Sequence, residues 1–309
     1  MDVHQGLTRG LDYAAVVAAS ERIAWRVGEI LDGRAFDPSG PIVPASWVGT
    51  QHLAFLDARA QRTLNHCRAF SYVHLLGHFE EFAPIHLSNV IRATRHDDRA
   101  QLRALMRFGD EELKHQQLFL QAERVLEESC GHAFGRWFEA DKARLAATTS
   151  QILEHDPLAI YLMVLALEWG TQRHYVESIN RDGGPVDALY VEILKAHWIE
   201  EAQHVKVDLL EIARLARARS EAAVARAFDD IPALGAIVDV AFAGQAQQEI
   251  ETLSAVTGRT FTADEVIVLH ETLHRSMHAI MAGVGLGHPS FGKLVRDLSP
   301  AGAATIGLS

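Results

Sequence analysis

Two segments of this chain, Glu112-Leu113-Lys114-His115 and Glu201-Ala202-Gln203-His204, carry the spacing Glu-x-x-His. On a helix, positions i and i+3 share a face, so each segment turns one carboxylate and one imidazole the same way. That pairing suits a cation held by oxygen and nitrogen. The pattern is short, however, and the Glu and His content of the chain yields about one such match by chance. A third, Glu271-Thr272-Leu273-His274, is indeed present. Only the surroundings of each pair can decide.

Those surroundings repeat. Glu80 precedes His86 and Ile91 by 6 and 11 residues, and Glu168 precedes His174 and Ile179 by the same steps. Glu80 lies 32 residues before Glu112, and Glu168 lies 33 before Glu201. Each half then delivers Glu-Glu-x-x-His, with Glu111 and Glu200 as the leading acids, which face solvent or lie behind the ligands. Glu168 follows the apolar run Ala159 to Leu167, so it is expected inside, where a carboxylate is costly unless paired or bound to metal; rolling onto a solvent-facing stripe, or pairing with Arg173, is the alternative. Glu80 shares a helical stripe with Val73, Leu76, Ala83, Leu87 and Ile91, whereas Glu81 sits with His74, His78, Ile85 and Ser88. Glu80 is therefore preferred to Glu81 as the interior acid. His197 stands four residues before Glu201, on the face of Glu201 and His204.

The candidate metal ligands are thus Glu80, Glu112, His115, Glu168, His197, Glu201 and His204. Four carboxylates with three neutral imidazoles suit two divalent cations, and the absence of thiolates favours iron or manganese over structural zinc. His86 and His174 are placed to orient ligands from behind. The stripe His270, His274, His278 reads as a polar face or part of a lid, because no paired helix is seen to bring carboxylates to it.

Helices must position these residues, since no period-two strand pattern persists. The expected helices are Leu11 to Leu31, Trp47 to Arg95 with a kink at Pro84, His96-Asp97-Asp98 to Ser129, Ala133 to Leu153, Pro157 to Asn180, Val186 to Ala218, Pro232 to Thr257 and Ala263 to Ala282. Asp182-Gly183-Gly184-Pro185 is a turn, and the tail from Gly283 is expected to be irregular. The four long helices form two hairpin pairs with a crossover helix between them, the order of a four-helix bundle with a dinuclear carboxylate site. The chain is read as one all-α domain, residues 1–309. Its bundle core spans about residues 50–218, and the helices of 219–282 complete a pocket or a dimer surface.

Composition narrows the function. A formal charge of −11 and no long basic run argue against a nucleic-acid surface. Two cysteines, Cys67 and Cys130, make no disulfide framework and fit a reducing compartment. The N-terminus lacks signal-peptide character, and the longest apolar run, Pro157 to Leu167, is too short to span a bilayer. A cytoplasmic protein that contacts no membrane and no nucleic acid is expected.

The two Glu-x-x-His motifs resemble those of the ferritin-like di-iron carboxylate superfamily. The extended form His197-x-x-x-Glu201-x-x-His204 is similar, more narrowly, to that of the p-aminobenzoate N-oxygenase family. The resemblance covers residues 50–215, with weaker support from Leu294 to Ser299. It implies a ferritin-like bundle with two iron ions (Fe/Fe, with Mn/Fe as a variant) at the matching positions Glu112, His115, Glu168, His197, Glu201 and His204. It also implies O₂ and a small organic amine as substrates, an electron donor as partner, and Arg173 or Arg296 as candidates to receive an aryl carboxylate. A homodimer is expected. Alternative readings are a ferritin-like ferroxidase or iron-handling protein, and a di-iron hydroxylase or desaturase.

Overall fold

The computed structural model describes residues 8–93, 98–138, 142–181 and 186–308. Among these every regular element is helical. The principal helices are α1 (Tyr13–Ser20), α2 (Ala58–Ala93), α3 (Arg99–Cys130), α4 (Lys142–Leu153), α5 (Pro157–His174), α6 (Ala188–Arg217), α7 (Ile231–Thr257), α8 (Ala263–His278) and α9 (Pro289–Leu298). Long helices α2 and α3 pack along each other, as do α5 and α6; α6 also meets α3, α1 lies against α3 and α6, and α7 covers α2 and α5.

Local chemistry sets the boundaries. Asp98 caps α3 by accepting from Gln101 N at 2.9 Å, Asp156 caps α5 from Leu158 N at 2.7 Å, and Asp187 caps α6 from Leu189 N at 2.8 Å. Gly131 ends α3 in the left-handed region at φ +67°, which glycine adopts without a Cβ clash. Pro84 lies inside α2 and cannot donate to the Glu80 carbonyl one turn earlier. Gln116 of α3 donates to that carbonyl instead, at 2.9 Å. The proline thus frees an acceptor that ties the Glu80 turn to the neighbouring helix.

Several expected boundaries are corrected. The first helix is two short ones, Tyr13–Ser20 and Val27–Leu31, because the chain turns after Ser20 to bring that hydroxyl onto Glu111. The second long helix begins at Ala58, not Trp47: Ala45–Val48 is a separate turn closed by Gly49 at φ +69°, and Asp57 accepts from Ala60 N at 2.8 Å. The expected Ala133 to Leu153 helix is divided into Gly135–Phe138 and Lys142–Leu153. Beyond His174 and His278 the backbone widens into π-helical turns, Tyr175–Arg181 and Ala279–Gly283. The tail is helical rather than irregular. Pro289 and Pro300 stand in first turns, where a missing N–H costs nothing, and Ser299 caps the last helix. Arg95, His96, Asp97 and the turn at 182–185 lie outside the described residues.

Candidate metal centre

Six of the seven candidate ligands converge. Glu80 from α2, His115 from α3, and His197 and Glu201 from α6 form one group; Glu112, His115, Glu201 and His204 form a second. All are buried, and within each group the ligand atoms lie within 4.8 Å of one another. The groups share His115 and Glu201. Glu201 spans them: its Oε1 lies 2.9 Å from His197 Nε2 and 3.1 Å from His115 Nδ1, while its Oε2 lies 3.3 Å from His204 Nδ1. Glu80 Oε1 stands 2.6 Å from His197 Nε2, and Glu112 Oε1 stands 2.9 Å from His204 Nδ1. Atoms that each lie about 2.1 Å from one cation are roughly 3 Å apart, which is the spacing seen.

Glu168 is buried on α5, but it joins neither group, and its Oε2 has no hydrogen-bond partner within the chain. Glu81 is exposed, 3.9 Å from His78. His174 and His86 orient no ligand: Tyr72 Oη and His174 Nδ1 are 2.9 Å apart, and His86 packs between Phe82 and Tyr161. Arg173 is held by Glu177 and the Gly287 carbonyl, and Arg296 by the Leu308 carbonyl. In the third Glu-x-x-His, Glu271 is exposed and His274 meets Asp239 of α7 at 2.9 Å. A paired helix therefore does bring it one carboxylate, though among the described residues no third donor completes a group there.

The two leading acids of the repeat are the residues that spacing places least well. Glu111 and Glu200 do not face solvent; they are 3% and 0% exposed. Glu200 of α6 receives His115 Nε2 of α3 at 2.9 Å, and Glu111 of α3 receives His204 Nε2 of α6 at 3.2 Å. Each helix thus fixes the outward nitrogen of the other's imidazole and leaves Nδ1 turned inward, the arrangement that sets a ligand's tautomer and basicity. Lys114 anchors Glu200, while Arg107 (2.9 Å) and Ser20 anchor Glu111. The clue lies in the stripes: Glu200 shares one with Ile193, Ala196 and Val207, all apolar.

Aromatic rings close the surroundings. Phe108 stacks on His204 at 4.0 Å, Phe119 lies 5.1 Å from His197, and Trp25 lies parallel to His115 at 6.0 Å. The cavity beside His204 and Glu111 has a volume of about 10 Å³. Such a space holds no more than one water. A larger concavity, about 400 Å³ and open, lies instead against His274, Arg275 and His278 of α8, away from the cluster.

Charges inside are strongly coupled. Burial and the neighbouring Glu112 and Glu201 push the Glu80 carboxyl well up, and burial raises Glu112. Burial would raise Glu201 too, but His204 and His115 bring it down to about 2. Burial opposes a proton on His115, yet Glu200 and Glu201 lift it to about 9; His204 is raised likewise by Glu201 and Glu112. His197 is lowered by burial and by those two imidazoles. Protons on His115 and His204 thus balance carboxylates in a sealed interior, a task that a divalent cation performs with more charge per site. Several inward atoms (Glu80 Oε2, Glu112 Oε2, His115 Nδ1, Glu201 Oε1 and His204 Nδ1) have no well-formed hydrogen bond within the protein. Buried polar atoms need partners, and donors of this type in this number suit a hard or borderline cation. The residues therefore fit a metal.

No protein-family model matches the chain, and no curated protein matches it.

Proposed function

We propose that this protein is a non-haem di-iron oxygenase on a ferritin-like four-helix bundle formed by α2, α3, α5 and α6. In this reading it activates O₂ to oxidise a small organic substrate, an aryl amine at nitrogen, with electrons from a separate donor. The observation that carries the reading is the Glu201 carboxylate, with one oxygen toward each of two buried Glu/His groups. Two such groups sharing a carboxylate suit a pair of ions close enough to act on one O₂ molecule. Iron held by these residues would supply the redox chemistry, passing electrons to O₂ and so providing oxidising equivalents for the substrate.

The chain's own residues do the rest. Glu80 with His197, and Glu112 with His204, end the two sides of the centre; His115 and Glu201 join them. Glu200 and Glu111 hold protons on the outward nitrogens, so Nδ1 of both imidazoles stays free to ligate. Phe108, Phe119 and Trp25 keep bulk water from the cluster. Glu168, buried and with one oxygen unpartnered, is the remaining carboxylate able to complete the set as a ligand.

The test loads the apo-protein anaerobically with ferrous iron, removes the excess, and adds ¹⁸O₂ with a reductant and a panel of aryl amines. Mass spectrometry should find ¹⁸O in a hydroxylamine or nitro product. Iron uptake far beyond two per chain, without labelled product, would instead favour iron handling; labelled oxygen on carbon would favour a hydroxylase.

A further inference from the structure

A second set of donor side chains lies on α8, outside the central cluster. Glu271, His274 and His278 stand at i, i+3 and i+7, so all three share one face of the helix. His274 and His278 are one turn apart, the spacing at which two imidazoles on a helix grip a zinc ion. The open concavity of about 400 Å³ lies against these three residues.

The neighbouring helix α7 positions the rings. Asp239 Oδ1 lies 2.9 Å from His274 Nε2, the Ala243 carbonyl lies 3.2 Å from His270 Nε2, and Phe242 stands edge-on to His278 with ring centres 6.1 Å apart. A carboxylate behind an imidazole fixes its tautomer and raises its basicity toward a metal on the other nitrogen. Asp239 thus holds the proton of His274 on Nε2 and leaves Nδ1 as the donor atom. The three donors stand near one another without converging. The ring centres of His274 and His278 are 6.5 Å apart, whereas two imidazoles on one ion, with Zn–N bonds of about 2.1 Å, have centres roughly 5–6 Å apart. Glu271 and His278 are both exposed, so side-chain rotation closes that gap with the helix in place.

We propose that Glu271, His274 and His278 bind a borderline divalent cation of the zinc class, with Asp239 of α7 as the positioning residue behind His274. Two imidazoles and one carboxylate are three protein ligands, which leaves a coordination position open toward the concavity for water or a small anion. Arg275 also lines the concavity, 4.0 Å from Glu271. Both side chains of that pair are largely exposed, and such a contact is weak enough for a metal ion to displace. The site shares no residue with the central cluster and does not rest on the reading of it.

Calorimetric titration of the metal-free full chain with zinc tests this, beside His274→Ala, His278→Ala, Asp239→Asn and His270→Ala, none of which alters a buried residue. His274→Ala and His278→Ala should each remove one ion per chain or weaken its binding by roughly tenfold or more. Asp239→Asn should keep the count and weaken the same ion by roughly 10–100-fold. His270→Ala should bind as the wild type does, because that ring is turned to the Ala243 carbonyl. Adding His278→Ala to Glu201→Ala should cost the same ion again, which separates it from any ion held in the central cluster. A metal-free wild type that takes up no zinc overturns the proposal. So does zinc uptake unchanged in both His274→Ala and His278→Ala, or a loss caused by His270→Ala and not by His278→Ala, which would move the site one turn along α8.

Discussion

Glu200 and Glu111 illustrate how much of this site lies one atom behind the ligands. Replacing Glu200 by Gln keeps size and a hydrogen-bonding atom but removes the charge that holds His115 Nε2. Metal stoichiometry should stay the same while affinity falls roughly 10–100-fold, measured by competition titration with cobalt(II). The histidines away from the cluster titrate in the opposite sense from His115. Burial holds His86 down to about 4 and His174 down to about 3, so both are neutral in the native state. The unfolded chain, with histidines near 6.5, binds more protons than the native one once the pH falls below that value. The stability that these two histidines contribute is therefore intact above about pH 6.5 and is lost on acidification, by up to about 1.4 kcal/mol per pH unit for each. Urea unfolding of the apo-protein between pH 7 and 5 should show this slope, and His174→Leu should reduce it by one proton's worth. Asp208, fully buried with neither carboxylate oxygen partnered, is held up by burial and runs against this trend, as do the raised carboxyls of Glu80 and Glu112, so the His174→Leu difference is the part that isolates one histidine.

The helices carry the site by close approach as much as by apolar stripes. Gly285 sits so near α5 that an added Cβ would overlap the Ala166 carbonyl, and one on Gly170 would come 2.7 Å from the Met281 carbonyl. Both obstacles are backbone, which cannot swing aside. Gly285→Ala should therefore cost roughly 2–4 kcal/mol in thermal unfolding, whereas Gly235→Ala, with nothing near its Cβ, should be neutral or stabilising. These contacts are invisible in the sequence, where Gly283 onward reads as an irregular tail of glycines and prolines. What the sequence does make legible are the long helices, because a 3.6-residue apolar period and Asp caps are local signals. The convergence of Glu80, Glu112, His115, Glu201 and His204 is legible from an internal repeat of spacing, and that of His197 from its place one turn before Glu201 on the same face. Glu168 marks the limit: an apolar run shows that a carboxylate is buried, but not which helix it faces. Glu111 and Glu200 mark another, since one residue's offset turns a side chain by about 100° and only the width of the packed face decides its burial.

At the scale of the whole molecule, α7 and α8 are fastened to α2 by an ion pair with almost no access to water. Arg68 reaches Glu249 at 2.8 Å and the Leu273 carbonyl at 3.0 Å, and both side chains are at most 1% exposed. Breaking the pair leaves an uncompensated buried charge, so Arg68→Met alone should cost about 3–5 kcal/mol, while Arg68→Met with Glu249→Leu should recover most of it. A double-mutant cycle on the denaturant midpoint measures this. No helix among the described residues is long and apolar enough to cross a membrane, and α7 instead lies over α2 and against α8. The central claim is that the helices converge on one centre for two cations joined through Glu201. It is tested most directly by anaerobic ferrous-iron titration of the apo-protein beside Glu80→Ala, Glu112→Ala and Glu201→Ala, each checked for native helicity. The account predicts about two ions per chain for the wild type, weakened or single-ion binding when Glu80 or Glu112 is removed, and loss of both when Glu201 is removed. A wild type that binds no iron, or a Glu201→Ala chain that still binds two ions with wild-type affinity, would contradict it.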